Sequence, residues 1–127
     1  MSCLSIIAAS MICGSPIAVD GDTLRFGRQY VRLWGVDAEE MSEPNGPNAR
    51  QILQNLVSYK TVRCQTVSID NHGRHVGRCF AGQVYINEEI IAHGGALDCR
   101  RYSGGAFASV EPSTSRTKLS QKPYCRG

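Results

Sequence analysis

Carboxylate side chains and an arginine are concentrated in two neighbouring stretches of this sequence. Asp20 and Asp22 flank a glycine, and Arg32 is followed at short distance by Asp37 and Glu40. Carboxylate oxygens are ligands that hard divalent cations prefer, and an arginine offers paired N–H donors to a phosphate group. The combination predicts a metal-dependent site that cleaves phosphodiester bonds.

A second arginine, Arg74, follows His72 and a glycine much further along the chain and could complete a phosphate clamp with Arg32. The simpler interpretation is a solvated arginine in a turn. In the same way, Asp20 and Asp22 could merely form a turn in which one residue has a positive φ. Arg32 alternates with its neighbours so that it shares a strand face with Trp34, which favours a functional role for it.

The hydrophobic pattern predicts a mainly β domain. Alternating or β-branched runs predict strands at residues 15–19, 23–26, 29–35, 61–68 and 75–80. Helical spacing of apolar residues predicts a helix that begins at Pro47 and ends near Ser58, and Asn87 is expected to cap a second helix at residues 88–93. Residues beyond Tyr102 are predicted to have little regular structure. The pattern indicates an α+β (mainly β) fold, a five-stranded Greek-key barrel of the OB type with two or three appended helices.

Charge is unevenly distributed along the 127 residues, although the formal net charge is only +3. Residues 99–127 carry six Lys or Arg against one acidic residue. Such a segment suits a polyanion, and the alternative is an ordinary solvated tail. Composition is otherwise that of a single globular domain, with 42% hydrophobic and 20% charged residues.

Six cysteines in so short a chain favour disulfides and an oxidising compartment, so we expect a secreted or periplasmic protein. Cys64 and Cys79 lie at similar distances from a predicted turn and are expected to pair across a hairpin. Cys99 and Cys125 form the second predicted pair, which would fasten the tail to the domain. A zinc site is the less favoured alternative for the cysteines and histidines of the hairpin, Cys64, His72, His75 and Cys79.

Residues 4–12 form a mostly apolar run near the start of the chain. It could be the core of a secretory signal or the first strand of the domain, and it is too short to span a bilayer. We therefore expect no membrane partner.

Several motifs occur together in the order and spacing of the staphylococcal-nuclease (thermonuclease) family. They are Ile-Ala-Val-Asp-Gly-Asp-Thr-Leu from Ile17, Val-Arg-Leu-Trp-Gly-Val-Asp-Ala-Glu-Glu from Val31, Gly-Pro-Asn-Ala from Gly46, His-Gly-Arg from His72, and Ile-Asn-Glu-Glu-Ile-Ile-Ala-His-Gly from Ile86. The resemblance implies an OB-type barrel with helices and calcium-dependent hydrolysis of DNA and RNA with low sequence specificity. The expected cofactor is Ca2+, the expected partners are DNA and RNA, and we expect a monomer. The alternative is a non-catalytic OB-type module that binds nucleic acid.

The resemblance covers roughly residues 15–102. It divides the chain into a signal-like or first-strand segment (residues 1–14), a nuclease-like OB domain (residues 15–102) and a basic C-terminal tail (residues 103–127).

The resemblance also assigns the metal ligands. Asp22 and Asp37 match the calcium-binding carboxylates of the family, and the backbone carbonyl of Ala38 matches a third ligand. Asp20 matches an aspartate that lies beside the metal and supports the site.

Catalytic and substrate-binding roles follow in the same way. Glu40 resembles the residue that orients or deprotonates the attacking water, and Arg32 and Arg74 resemble the pair that grips the scissile phosphate. Tyr102 lies near a family tyrosine that helps to hold the nucleotide. His72 is also expected to contact the substrate, although Asn71 and His72 stand where a basic residue and a tyrosine are common in the family.

The sequence departs from the family pattern at several places, and the departure nearest the site is Glu39, which stands where a proline is usual. The loop gains a negative charge and loses the rigidity of proline. Glu39 could therefore compete with Glu40 or strengthen metal binding.

Overall fold

The computed structural model describes Cys3 and residues 11–127. The strands of this part are β1 (Met11–Gly14), β2 (Ile17–Asp20), β3 (Thr23–Phe26), β4 (Gln29–Leu33), β5 (Val36–Asp37), β6 (Val62–Ile69), β7 (His75–Ala81), β8 (Val84–Tyr85) and β9 (Leu97–Asp98). The α-helices are α1 (Gly46–Val57), α2 (Ile86–Ala92), α3 (Arg100–Ser103) and α4 (Ser115–Lys118), with 3₁₀ turns at Ala108–Val110 and Pro123–Arg126.

The main sheet curls into a half-barrel. Among the described residues it has seven strands in the order β1-β6-β7-β4-β3-β2, with β8 beside β7. Its pairs are antiparallel except that of β4 with β7, which is parallel. Strands β5 and β9 form a separate antiparallel pair. The predicted α+β, mainly β, OB-type fold is confirmed.

Helix α1 closes one side of the core. Its buried face consists of Ala49, Leu53 and Val57, and the helix packs against β2. Ala18 on β2 donates its backbone N–H to Gln54 Oε1 at 2.9 Å, which fixes the position of the helix relative to the strand. The helix begins and ends one residue before the predicted positions.

Asn87 does not cap α2, because the helix begins at Ile86 and the N-cap position is Tyr85. The amide of Asn87 is buried instead and accepts a hydrogen bond from the Cys79 N–H at 2.9 Å. It donates to the carbonyls of Trp34 and Gly77 at 2.9 and 3.1 Å. Asn87 therefore joins α2, β7 and the end of β4 in the core, where burial of an unpaired backbone group would be costly.

The turn between β2 and β3 also differs from the prediction. None of its three residues, Asp20, Gly21 and Asp22, has a positive φ. Glycine is needed for another reason, since a Cβ on Gly21 would lie 2.6 Å from Cβ of Ala49 and 2.7 Å from Cβ of Ala38. The turn is thus packed directly against α1 and the loop after β5.

Three disulfides join the cysteines of the chain, and no cysteine is free. Cys64 pairs with Cys79 across the β6–β7 hairpin, and Cys99 pairs with Cys125, so both predicted pairs are confirmed. The third disulfide joins Cys3 to Cys13. Such a set is consistent with a protein of an oxidising, extracellular environment.

The C-terminal residues contain more structure than the sequence predicted. Short helical turns follow one another after Tyr102, and Phe107, Leu119 and Cys125 are buried. Of the apolar run at residues 4–12, all but Met11 and Ile12 lie outside the described residues, and these two belong to β1.

Candidate functional site

Two buried aspartates form the centre of the site. Asp22 lies just before β3, and Asp37 ends β5, where its side chain is fully buried. Asp22 Oδ2 accepts the backbone N–H of Ala38 at 3.0 Å, and its Oδ1 accepts the Thr23 hydroxyl at 3.1 Å. This bond between Asp22 and Ala38 places the turn after β2 against the end of β5.

Arg32 lies beside these aspartates on β4. Its Nη2 is 3.6 Å from Asp22 Oδ2, and it donates to the carbonyl of Val36 at 3.2 Å. Burial opposes the charged form, but the nearby carboxylates of Asp22 and Asp37 keep the pKa of Arg32 above its ordinary value. The guanidinium is therefore a permanent cation at the edge of the acidic residues.

Asp20 and Glu40 complete what we call the acidic cluster, namely Asp20, Asp22, Asp37 and Glu40. Asp20 Oδ1 accepts the backbone N–H of Asp22 at 3.1 Å. Burial, together with the charge of Asp22, raises the pKa of Asp20 to about 7. Glu40 is the accessible member, since 57% of its side chain is exposed.

Lys122, from the C-terminal part of the chain, reaches into the acidic cluster. Its Nζ lies 3.0 Å from Asp37 Oδ1, 2.8 Å from the Ala38 carbonyl oxygen and 3.4 Å from Glu40 Oε1. Its backbone N–H donates to Asp37 Oδ2 at 2.9 Å. Burial opposes its charge, but the hydrogen bond and charge of Asp37 raise the pKa of Lys122.

Glu39 neither competes with Glu40 nor faces the metal-side residues, and its carboxylate is instead a structural hydrogen-bond acceptor. Its carboxylate is buried and accepts the backbone N–H and the side-chain amide of Asn45, both at 2.9 Å. It also accepts the backbone N–H of Ser120 at 2.9 Å. Hydrogen bonds thus hold both this loop and the C-terminal part of the chain where a proline would have offered only stiffness.

An open cleft of about 670 Å³ lies on the other side of Arg32. The polar and aromatic side chains that line it include Arg32, Asp70, His72, Arg74, Tyr102 and Tyr124. Tyr102 and Tyr124 meet edge to face, with ring centroids 6.4 Å apart, and both are exposed. The Tyr124 hydroxyl is 3.5 Å from Arg32 Nη2.

Arg74 is held at the mouth of the β6–β7 hairpin by Asp70. The Arg74 Nε lies 2.7 Å from Asp70 Oδ2, and its backbone N–H donates to Asp70 Oδ1 at 2.9 Å. This pair uses Nε, so the two Nη groups of Arg74 are not needed for it. The His72 backbone N–H also donates to Asp70 Oδ1.

The structure thus divides the predicted site residues between two adjoining regions. The metal-side residues meet in one region, namely Asp20, Asp22, Asp37, Ala38 and Glu40. The cleft collects Arg74, His72 and Tyr102, and Arg32 belongs to both regions. Lys122 and Tyr124 were missed by sequence reasoning, although the predicted pairing of Cys99 with Cys125 was a signal that residues near Cys125 lie close to Tyr102.

The acidic cluster suits a hard cation. The oxygens available to it are those of the carboxylates and of the Ala38 carbonyl, and Lys122 Nζ already contacts Asp37, Ala38 and Glu40. In the described part of the chain no three His, Cys, Asp or Glu side chains converge on one point. Calcium tolerates such a set, because carbonyls and water can complete its shell. Zinc does not suit the hairpin, since Cys64 and Cys79 are bonded to each other.

Across the residues that the structure describes, no helix has both the length and the apolar character needed to cross a membrane.

Comparison with known proteins places the chain among nuclease relatives. Residues 30–121 match the model of the family described as staphylococcal nuclease homologue. A probable staphylococcal-like nuclease of Oryza sativa subsp. japonica, CAN2, is 28% identical over 86 residues, which are 68% of this chain and 23% of that protein. A probable endonuclease of Komagataella phaffii, LCL3, is 29% identical over 108 residues, which are 77% of this chain and 47% of that protein.

This chain spans about a quarter to a half of the length of these two relatives. The family match covers most of the chain and includes Arg32, Asp37, Glu40 and Arg74. The chain belongs to the staphylococcal nuclease homologue family.

Proposed function

We propose that this protein is a calcium-dependent nuclease that hydrolyses phosphodiester bonds of DNA and RNA with low sequence specificity. The observation that carries the proposal is the position of Arg32, between the acidic cluster with its two buried aspartates and an open cleft lined by Arg74 and two exposed tyrosines. The family membership and the nuclease names of the relatives support the same activity.

In this proposal the acidic cluster holds the metal. Asp22, Asp37 and the carbonyl of Ala38 are the ligands, and Asp20 lies behind them. When bound, Ca2+ would reduce the charge of the phosphate and polarise a water molecule. The buried ligands Asp22 and Asp37 are fixed by their own hydrogen bonds, so little ordering is left to the moment of binding.

The reaction itself is assigned to three side chains. Arg32 and Arg74 donate N–H groups to the phosphate oxygens and oppose the charge that builds up as the water oxygen attacks phosphorus. Glu40, as the exposed acidic residue, orients this water and accepts its proton. The bond from phosphorus to the leaving oxygen then breaks, and that oxygen takes a proton from solvent.

The cleft is assigned to the nucleic acid chain. Tyr102 and Tyr124 offer aromatic faces on which unpaired bases can stack, and such stacking is sequence-tolerant. His72 also lines the cleft, from the same turn as Arg74. We further propose that the protein acts outside the cytosol, in a secreted or periplasmic setting, because three disulfides would be unusual in a reducing compartment.

A digestion assay tests this proposal. Purified protein with its disulfides intact should degrade linear and circular single-stranded DNA with calcium and stop when a chelator is added. Glu40→Gln and Arg74→Ala should each lower the rate by about 10²-fold or more. Glu88→Gln, the same kind of change at an exposed position of α2, is the matched control and should keep the rate.

One alternative has support in the same cleft, because an aromatic and basic groove also suits a non-catalytic OB-type module. DNA that binds but is not cleaved at any calcium concentration would favour this module and overturn the nuclease.

A further inference from the structure

The Lys122 ammonium lies against two of the three proposed calcium ligands. It contacts Asp37 and the Ala38 carbonyl, and it also contacts Glu40, so two ligand oxygens and the water-side carboxylate already face a positive charge. Only 22% of the Lys122 side chain is exposed. Lys122 is therefore a largely buried cation held by three oxygens, and not a solvated lysine near a single acidic residue.

The chain holds this lysine in place from both sides. We call residues 111–127 the C-terminal segment. Ser120 donates its backbone N–H to Glu39, and Lys122 donates its own to Asp37 Oδ2. Three residues later, Cys125 is bonded to Cys99. The segment is therefore fastened immediately before and after Lys122, independently of the ammonium group.

These contacts hold the backbone but not the Lys122 side chain, so the ammonium can leave the acidic cluster while the backbone stays in place. The bond from the Lys122 N–H to Asp37 does not involve Nζ, and the side chain has four rotatable bonds. Glu40, one of the three contacts, is more than half exposed, so a path to solvent exists on that side. Two states follow, one with the ammonium in the cluster and one with it in solvent.

We propose that Lys122 is an intrachain cation that competes with calcium for the acidic cluster. The inference rests on the proposed function, because it assumes that calcium binds at these oxygens. Calcium binds the state in which the ammonium has left, so the apparent association constant is the intrinsic one multiplied by the fraction of molecules in that state. By linkage, calcium in turn drives the ammonium out.

Direct calcium titration by calorimetry tests the competition without any substrate. If the ammonium occupies the cluster in at least nine of ten molecules, Lys122→Met should bind calcium about tenfold tighter or more than the natural chain. Lys118→Met is the matched control. It removes the same charge from an exposed position of the same segment and should leave the affinity within about twofold.

Equal affinities of the natural chain and Lys122→Met would overturn the competition while keeping the calcium site. Absence of calcium binding in both would overturn the calcium proposal and the competition together. Lys122→Gln offers a second neutral variant if Lys122→Met does not fold.

Amine labelling of the natural chain gives a second readout that needs no variant. Without calcium, mass spectrometry should find Lys122 labelled more slowly than Lys118. Once calcium is added, Lys122 should be labelled faster than it was without calcium. Labelling of Lys122 at the rate of Lys118 in the absence of calcium would contradict the proposal.

Discussion

Two adjacent glutamates after β5 have opposite environments. The Glu39 carboxylate is buried and accepts three N–H groups, whereas most of the Glu40 side chain is exposed at the acidic cluster. We therefore expect Glu39 to contribute to stability and Glu40 to contribute to the reaction, and substitutions of each can test this.

Glu39→Gln should lower the free energy of unfolding by about 1–3 kcal/mol, because an amide would turn its own N–H donors toward the donors of Asn45 and Ser120. Urea denaturation at neutral pH measures this change. Glu40→Gln should stay within about 0.5 kcal/mol of the natural chain, while its cleavage rate falls. A Glu39→Gln variant of unchanged stability would show that these hydrogen bonds are not needed.

Asp70 makes the stability of the β6–β7 turn dependent on pH. Burial alone would raise the pKa of Asp70, but hydrogen bonds from Arg74 and His72 hold it below its ordinary value. The unfolded chain therefore binds the proton more readily. The stabilisation is complete above about pH 4, the ordinary range of an aspartate, and is lost as pH falls through the lower folded value.

Asp70→Asn should consequently be less stable than the natural chain by about 1–3 kcal/mol at pH 7. The difference should shrink as the pH falls below about 4. Urea denaturation at several pH values between 7 and 3 follows this convergence. Asn71→Ala, at an exposed position of the same turn with no titratable group, should show no such trend. A constant difference for Asp70→Asn would contradict the assignment.

At the scale of elements, helix α1 and the loop that carries Glu40 are in close contact at Gly46. A Cβ on Gly46 would overlap the carbonyl oxygen of Glu40 and lie 2.8 Å from Cα of Met41. Both neighbours are backbone atoms, which cannot rotate away as a side chain can. The start of α1 therefore sets the position of the Glu40 loop.

Gly46→Ala should destabilise the domain and lower the cleavage rate, even though alanine is favoured over glycine within a helix by about 1 kcal/mol. The overlap must be relieved by movement of the Glu40 loop or of the helix start. Thermal unfolding and the digestion assay measure the two effects. Gln51→Ala on the exposed face of the same helix should change neither, and a stabilised Gly46→Ala would refute the contact.

The elements that sequence reasoning found are those with a strong local pattern. Strands β2, β3, β4, β6 and β7 and helix α1 follow from alternation and helical spacing of their own residues. Strand β5 has two residues and is defined by pairing with β9, so no local pattern reveals it. Asn87 also cannot be assigned from local pattern. Its sequence position suggests a helix cap, but its amide is hydrogen-bonded to the backbone of Cys79 in β7 and of Trp34 just after β4.

The candidate site was predicted in the same uneven way. Asp22, Asp37, Arg32 and Glu40 occur in short motifs, and their neighbours in the chain identify them. Lys122 reaches Asp37 across 85 positions of sequence, and only the fold brings them together. The sequence predicted a basic tail, but it did not predict that Lys122 of this tail contacts Asp37.

For the molecule as a whole, the final prediction concerns how the C-terminal segment is fastened. The double variant Cys99→Ala/Cys125→Ala removes a disulfide between residues 26 positions apart. We expect it to lower the free energy of unfolding by roughly 3–4 kcal/mol. Amide exchange should rise selectively around Lys122. Cys64→Ala with Cys79→Ala opens a 15-residue link in the hairpin and should cost roughly 3 kcal/mol without that selective rise. Denaturation and hydrogen exchange measure both. If the two variants exchange alike, the segment is held mainly by its hydrogen bonds, and the disulfide adds only global stability.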